Sequence, residues 1–168
     1  PPGGMLLGYH IPPITGISFS LDLLARLKDA HPSAFAGIKD SSGEADFARQ
    51  LGQRFGDDLF VLTGNDRLFS LALQNHASGC ITAMANLYSP TLRRVWEAFQ
   101  AEKDSTGDQE SLAAARSILD KYPPMPPLLK TLLHAQHHLP QWPVRLPLLP
   151  FLEANIPAVL ASLSQVIS

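Results

Sequence analysis

Short apolar runs alternate with amphipathic stretches through the first hundred residues of the chain. The four apolar runs are MLLGY at Met5–Tyr9, FAGIK at Phe35–Lys39, LFVLTG at Leu59–Gly64 and GCITAMA at Gly79–Ala85. A stretch with helical spacing of its apolar residues follows each run. Short continuous apolar runs followed by amphipathic helices are typical of βα units, whose parallel strands are buried on both faces. The pattern therefore predicts four βα units of an α/β protein.

The strand pattern stops after residue 103, and the rest of the chain has only helical spacing. We predict helices at Ser111–Tyr122, Pro127–His138 and Glu153–Ile167, joined by proline-rich connectors at 122–127 and 139–150. Prolines end helices and stiffen the segments between them. We therefore divide the chain into the βα units at residues 1–103 and a C-terminal helical region at residues 104–168.

Two helix starts carry a capping signal. Ser42 is placed to cap the second helix, and Ser89 followed by Pro90 predicts a cap with proline at the first helical position.

Composition and charge exclude several classes of protein. The 13 basic and 15 acidic residues are well mixed and give a net charge of −2, which provides no basic surface for nucleic acid or for a membrane. No apolar run is long enough to span a bilayer, and the first residues lack the basic region of a signal peptide. The one cysteine, Cys80, rules out an internal disulfide framework and is compatible with the reducing cytoplasm, so we expect a cytoplasmic protein.

Candidate chemistry lies at the predicted carboxyl ends of the strands, where α/β proteins place their sites. Tyr9 and Lys39 end consecutive strands. A neutral lysine amine can attack a carbonyl carbon and form a Schiff base, and a tyrosine hydroxyl can move the protons that this requires. Gly64 allows a ligand to approach the backbone closely, and backbone N–H groups around Asp40 and Ser41 could hold a carboxylate. Together these groups predict a site for a 2-oxo acid.

Simpler interpretations of the same residues stay open at this point. A lysine at a strand end is often a surface residue, a tyrosine there is often part of the core, and Gly64–Asp66 alone is a turn. The three histidines at 134, 137 and 138 are more typical of a solvated helix face than of a zinc site, so we predict no metal. A nucleotide-binding open sheet is disfavoured because no glycine-rich phosphate loop follows any strand.

Four segments in order resemble one family of enzymes. YHIPPITG, GIKDSSGE, LTGNDRLF and GCITAMANLYSP, followed by PPMPPLLKTLL and PVRLPLLPF, resemble the C-terminal half of the dihydrodipicolinate synthase / N-acetylneuraminate lyase family. Members of that family are pyruvate-type class I aldolases and lyases. The resemblance implies that residues 1–103 are the second half of a (β/α)8 TIM barrel, with strands 5–8 and their helices. The C-terminal helical region follows.

The resemblance also implies roles for individual residues. Lys39 matches the Schiff-base lysine and Tyr9 the proton-relaying tyrosine beside it. The implied substrate-binding residues are Ile81, which packs over the pyruvate-like moiety, Gly64 near the distal part of the substrate, Ser41, Asp66 and Thr15. No cofactor is implied beyond the covalent imine on Lys39. The implied partners are a small 2-oxo acid and further copies of the chain in a homotetramer.

Departures from the family pattern bear on the substrate. Ile14 stands where dihydrodipicolinate synthases carry a carboxylate-binding arginine, and loss of that guanidinium weakens the case for lysine biosynthesis. Arg67 and Ala83 replace a glutamate and a serine of the sialic acid lyases. We expect Arg67 to form a surface ion pair rather than to bind an acidic substrate. The Lys-Asp-Ser sequence after Ile38 resembles the branch that cleaves or dehydrates 4-hydroxy-2-oxo acids or 2-keto-3-deoxy sugar acids.

Two alternatives remain beside that substrate class. One is a true 4-hydroxy-tetrahydrodipicolinate synthase, and the other is a non-catalytic half-barrel module that binds a small acid or a protein. Half a barrel exposes two sheet edges and an apolar interior, which are unfavourable in water. We therefore expect the sequence to be a fragment of a longer chain or to pair with another polypeptide.

Overall fold

The computed structural model describes residues 3–167; Pro1, Pro2 and Ser168, at the outer ends of the two predicted regions, lie outside that range. It contains one parallel sheet. Its four strands, paired in the order β1-β2-β3-β4, are β1 Leu6–His10, β2 Phe35–Asp40, β3 Phe60–Thr63 and β4 Gly79–Cys80. All four lie within or beside the predicted apolar runs, which confirms the prediction of four parallel strands.

Eight helices follow or connect the strands in the described part of the chain. They are α1 Pro12–Thr15, α2 Leu21–Ala30, α3 Ala45–Phe55, α4 Phe69–Gln74, α5 Ala85–Gln100, α6 Thr106–Leu119, α7 Met125–His137 and α8 Ile156–Ser164. Short 3-10 turns at Asp66–Leu68 and Glu153–Asn155 precede α4 and α8. Within residues 3–167, no helix has both the length and the apolar character that crossing a bilayer requires.

Strand β4 is shorter than the apolar run GCITAMA predicts. Ile81 still donates its backbone N–H to Thr63 O at 2.9 Å, but the ladder ends there. The hydroxyl of Thr82 accepts a hydrogen bond from Ala85 N, which turns the chain into α5. An apolar run does not distinguish a strand from the turn that follows it when both are partly buried.

The predicted cap at Ser42 was wrong, whereas the start predicted at Ser89 and Pro90 falls inside a longer helix. The Ser42 hydroxyl donates to Asp40 Oδ2 and accepts from Glu44 N, so it organises the preceding turn, and α3 begins only at Ala45 without a side-chain cap. Helix α5 begins at Ala85, before Ser89 and Pro90. Tyr88 has non-helical dihedral angles (φ −128°, ψ 35°), so the Ser-Pro signal marks a kink and restart inside one helix.

The buried apolar side chains form two clusters. The first joins the sheet to α2 and α3 and includes Leu24, Ile38, Leu51, Phe55 and Val61. The second joins α4 and α5 to the C-terminal helices and includes Phe69, Val95, Leu112, Leu128, Leu132 and Val159. The second cluster therefore crosses residue 103, where the sequence suggests a division; that division stays a prediction.

The two faces of the sheet differ in burial. On one face, covered by helices, Ile38, Asp40, Val61 and Thr63 are buried. The other face carries Leu7, Tyr9, Phe60 and Ile81, which are 46%, 50%, 56% and 45% exposed. This open face carries the candidate lysine and tyrosine.

Candidate active site

Tyr9 and Lys39 occupy directly paired positions of neighbouring parallel strands. Tyr9 on β1 is the register partner of Lys39 on β2, so both side chains leave the same face of the sheet near its carboxyl edge. The Lys39 Nζ lies 4.0 Å from the centroid of the Tyr9 ring. The structure therefore brings together the two residues that the sequence singled out, while their chemical roles stay predictions.

The environment of Tyr9 changes the acidity of its phenol. Burial alone would raise the pKa of Tyr9, but hydrogen-bonding interactions with the Lys39 and Ser41 side chains and the charge of Lys39 outweigh it. The pKa of Tyr9 therefore lies below its ordinary value. A phenol with a lowered pKa gives up a proton more readily, which suits a group that relays protons.

Gly64 is in close contact with the same pair. It follows β3, and its backbone N–H donates to Asp40 O at 2.6 Å. A Cβ at this position would lie 2.0 Å from Ser41 Oγ and 3.1 Å from Lys39 Cε. Glycine is favoured there, because any side chain would displace the Ser41 hydroxyl and press on the lysine stem.

The backbone N–H groups that were predicted to hold a carboxylate, around Asp40 and Ser41, already have hydrogen-bond partners within the protein. The N–H of Ser41 donates to His10 O at 2.8 Å, and the N–H of Ser42 donates to Asp40 Oδ1 at 3.0 Å. Both groups are thus used inside the protein. What Ser41 offers the site is its hydroxyl, which lies against Gly64 and contributes to the lowered pKa of Tyr9.

Asp66 does not face the open site in the structure. Its side chain is 0% exposed and accepts from Arg116 Nη1 of α6 at 2.7 Å, while its Oδ1 has no partner among the described residues. The prediction that Asp66 binds substrate is therefore not supported by its placement. Arg67, the next residue, pairs with Asp120 at 2.8 Å, as expected for a surface ion pair.

The remaining predicted residues differ in their placement. Ile81 is half exposed on the open face, beside the end of β3. The Thr15 hydroxyl donates to Ile11 O or Ile17 O, both at 3.2 Å, so it closes the turn after β1. Ile14, at the place of the missing arginine, is 79% exposed. Ile81 thus belongs to the same surface as Tyr9 and Lys39, whereas Thr15 is engaged locally.

Comparison with known proteins identifies the family. The sequence profile of the dihydrodipicolinate synthetase family matches residues 4–166. The chain belongs to this family. The match extends from the strand that carries Tyr9 through the C-terminal helices.

Comparison with individual members of the dihydrodipicolinate synthetase family shows what share of each relative's length this chain covers. A DapA-like lyase of Chloroflexus aurantiacus is 32% identical over 168 residues, which are 100% of this chain and 56% of that protein. An N-acetylneuraminate lyase of Lactiplantibacillus plantarum is 33% identical over 96 residues, which are 57% of this chain and 32% of that protein. The crystal structure of dihydrodipicolinate synthase from Agrobacterium tumefaciens matches with a TM-score of 0.83 and 26% identity, over 96% of this chain and 54% of that one.

The chain thus spans about half the length of the Chloroflexus and Agrobacterium proteins. That coverage and the four parallel strands with helices on one face confirm the predicted α/β fold. It is the second half of a barrel followed by a helical region.

The family resemblance did not point to a buried polar pair behind the site. His10 and Asp40 directly follow Tyr9 and Lys39, and they are also register partners. His10 Nδ1 lies 2.8 Å from Asp40 Oδ1, and both side chains are 4% exposed. The signal for this pair is present in the sequence, because residues next to paired strand ends must themselves pair on the opposite face of the sheet.

Other reactive side chains are less suited to chemistry. Burial, with a smaller effect of the Asp66 charge, raises the pKa of the Cys80 thiol to about 11, so the thiol stays protonated near neutrality. His134 Nδ1 lies 2.6 Å from Leu139 O, a contact that fixes the end of α7. Between residues 3 and 167, no three His, Cys, Asp or Glu side chains are grouped as metal ligands would be.

Proposed function

We propose that this chain carries the imine-forming site of a lyase or aldolase that acts on 2-oxo acids. The observation that carries the proposal is the placement of the Lys39 amine 4.0 Å from the centre of the Tyr9 ring at the carboxyl edge of two parallel strands. Membership of the dihydrodipicolinate synthetase family supports it. The half-exposed face around the pair leaves room for a small substrate.

The proposed reaction begins with attack by the neutral Lys39 amine on the C2 ketone carbon. A carbinolamine forms, loses its hydroxyl as water and becomes a protonated imine on Lys39. That imine accepts the electron pair of the C3–C4 bond, which breaks and releases an aldehyde once the C4 hydroxyl loses its proton. The remaining enamine takes a proton at C3, and water then releases pyruvate and restores the amine.

Tyr9 is proposed to move protons in these steps. Its hydroxyl would protonate the departing carbinolamine oxygen and, as phenolate, accept the proton of the C4 hydroxyl. The Ser41 hydroxyl, packed against Gly64, would hydrogen-bond Tyr9. The chemistry uses the imine itself as the electron sink and needs no metal or organic cofactor.

We propose 4-hydroxy-2-oxo acids or 2-keto-3-deoxy sugar acids as the substrate class, cleaved or dehydrated. Ile14 and Ala83 support this choice. Ile14 provides no guanidinium for a second carboxylate, and Ala83 provides no hydroxyl for a sialic acid. Synthesis of 4-hydroxy-tetrahydrodipicolinate remains the second candidate, since the Agrobacterium protein that matches over 96% of this chain is a dihydrodipicolinate synthase.

The setting of the site is also a proposal. We propose that the whole protein works in the cytoplasm, which suits the one cysteine of this chain, and that it forms a homotetramer, as the resemblance implies. The open face of the sheet, with Leu7 and Phe60 about half exposed, is an apolar surface that another polypeptide segment would cover. Its coverage would also exclude water from the imine on Lys39.

Borohydride trapping with pyruvate tests the proposal. The folded chain is incubated with pyruvate, reduced, digested and analysed by mass spectrometry. We expect a reduced adduct on Lys39 that is absent from Lys39→Met and retained in the matched surface variant Lys121→Met. A folded chain that gives no adduct, or an equal adduct on several surface lysines, would contradict the proposal and favour the binding-module alternative.

A further inference from the structure

The closed face of the sheet carries a buried polar pair directly behind Tyr9 and Lys39. His10 and Asp40 are register partners one residue further along the same strands, so their side chains leave the opposite face. His10 Nδ1 and Asp40 Oδ1 are 2.8 Å apart. Because an ionised carboxylate only accepts, the imidazole donates its Nδ1–H to Asp40.

Among the described residues, Asp40 is the one polar group that hydrogen-bonds the His10 imidazole. The imidazole stacks on Phe19 with ring centroids 5.7 Å apart and meets Phe47 at 4.8 Å. Its Nε2 is buried without a hydrogen-bond partner. Removing the carboxylate would therefore leave the ring with nothing polar to orient it. Buried polar pairs add little stability compared with apolar residues, but they can fix one arrangement of the chain.

Asp40 also holds the turn that carries Ser41. Its Oδ1 accepts from Ser42 N at 3.0 Å, and its Oδ2 accepts from the Ser42 hydroxyl at 3.1 Å. On the neighbouring strand, the carbonyl of His10 accepts from Ser41 N at 2.8 Å. One carboxylate and one imidazole thus link the end of β1, the end of β2 and the turn after β2.

We propose that His10 and Asp40 are positioning residues that hold Tyr9, Lys39 and the Ser41 hydroxyl in the arrangement seen on the open face. Each acts through a single peptide bond on its catalytic neighbour. Their catalytic consequence rests on the proposed function, whereas their effect on the geometry does not. A displacement of about 1 Å at a reacting group can slow a reaction by about a hundredfold.

The first test reads the geometry without any substrate. Protein labelled with 13C at the tyrosine Cζ is titrated by NMR, and the Tyr9 signal is assigned with Tyr9→Phe. In His10→Leu and Asp40→Leu, which remove these hydrogen bonds, we expect the pKa of Tyr9 to move up towards its ordinary value, because Lys39 and Ser41 are no longer held against the phenol. His10→Asn places an amide N–H near the position of Nδ1 and is expected to keep the titration of the unaltered chain.

The second test measures imine formation in the same variants. We expect borohydride trapping at Lys39 to slow by about 10- to 100-fold in His10→Leu and Asp40→Leu and to be largely restored in His10→Asn. The matched controls, His31→Asn at the end of α2 and Asp46→Leu in the first turn of α3, are at exposed positions and should change neither measurement. Thermal unfolding shows which variants are folded.

The outcomes separate the two proposals. Unchanged Tyr9 titration and trapping in a folded His10→Leu or Asp40→Leu variant would overturn the positioning role. If neither folds, a His10→Asn variant that folds but has lost the Tyr9 titration of the unaltered chain would overturn it as well. A chain that traps no pyruvate but shows the expected movement of the Tyr9 titration would refute the proposed function and leave the positioning role in place.

Discussion

Replacing Gly64 by alanine tests how tightly the candidate site is packed. The new Cβ would lie 2.0 Å from Ser41 Oγ, which is more than 1 Å inside normal contact, and 3.1 Å from both Asp40 O and Lys39 Cε. The hydroxyl must swing away, since the backbone oxygen of Asp40 is fixed in the sheet. Overpacking of this kind costs about 1–3 kcal/mol, so we expect Gly64→Ala to lower the free energy of unfolding by about 2 kcal/mol.

A double-mutant cycle with Ser41→Ala identifies the origin of that loss. Ser41→Ala removes the oxygen in the closest contact, so the double variant should recover about 1 kcal/mol or more of the free energy of unfolding. The contact with Lys39 Cε is relieved by a small movement of a flexible side chain. Gly107→Ala is the matched control, because no atom lies within 4 Å of its Cβ position, and it should be neutral or slightly stabilising.

Urea unfolding gives the free energy of unfolding of each variant in the cycle, provided that the m-values agree. Pyruvate trapping measures the effect of each variant on the site. We expect trapping at Lys39 to be slower in Gly64→Ala than in Gly107→Ala. The reasoning would be refuted if Gly64→Ala unfolded at the same urea concentration as the unaltered chain. It would also be refuted if Ser41→Ala failed to relieve the loss.

Three further predictions concern groups outside the open face. Arg116→Leu leaves the fully buried Asp66 carboxylate without its cation and should lower the free energy of unfolding by about 3 kcal/mol. The exposed ion pair of Arg93 with Glu97 offers a matched control. Arg93→Leu should change the free energy of unfolding by less than about 0.5 kcal/mol in the same urea assay. Cys80, with its pKa raised to about 11, should react with iodoacetamide at pH 8 about tenfold more slowly than the same thiol in urea; equal rates would contradict its burial. Burial raises the pKa of Tyr88, so its contribution to stability is fully present below the ordinary tyrosine pKa and is lost as pH rises through the higher folded value. Tyr88→Phe should therefore lose less free energy of unfolding than the unaltered chain between about pH 9 and pH 12.

The meeting of Tyr9 and Lys39 could be predicted from the sequence because it depends on local order. Each residue ends an apolar run, and the ends of parallel strands meet at one edge of the sheet. The same logic extends by one residue to His10 and Asp40, which follow the two predicted strand ends directly. Hydrophobic pattern and strand order were thus sufficient to place Tyr9 beside Lys39 and, in principle, to place the pair behind them.

Features that depend on long-range partners could not be predicted in this way. Asp66 pairs with Arg116, fifty positions along the chain, and no local pattern shows that its carboxylate is turned away from the open face. Ser42 has the sequence of a helix cap, but the carboxylate of Asp40 two residues earlier takes its hydroxyl as a donor. A short-range rule fails where a nearby charged group offers the same side chain a stronger hydrogen bond.

The two apolar clusters indicate which parts of this chain would unfold separately. Helix α4 belongs to both, with Phe69 and Leu73 in the cluster shared with the C-terminal helices and Ala72 in the cluster beneath the sheet. Segments that share a buried cluster tend to unfold together, whichever βα unit they belong to. The amide hydrogens of α5 should therefore exchange together with those of α6, α7 and α8. A truncation after residue 103 would therefore not release a self-sufficient module. It would expose the apolar face of α5 to water. The first three strands, which belong to the other cluster, would depend less on the removed helices.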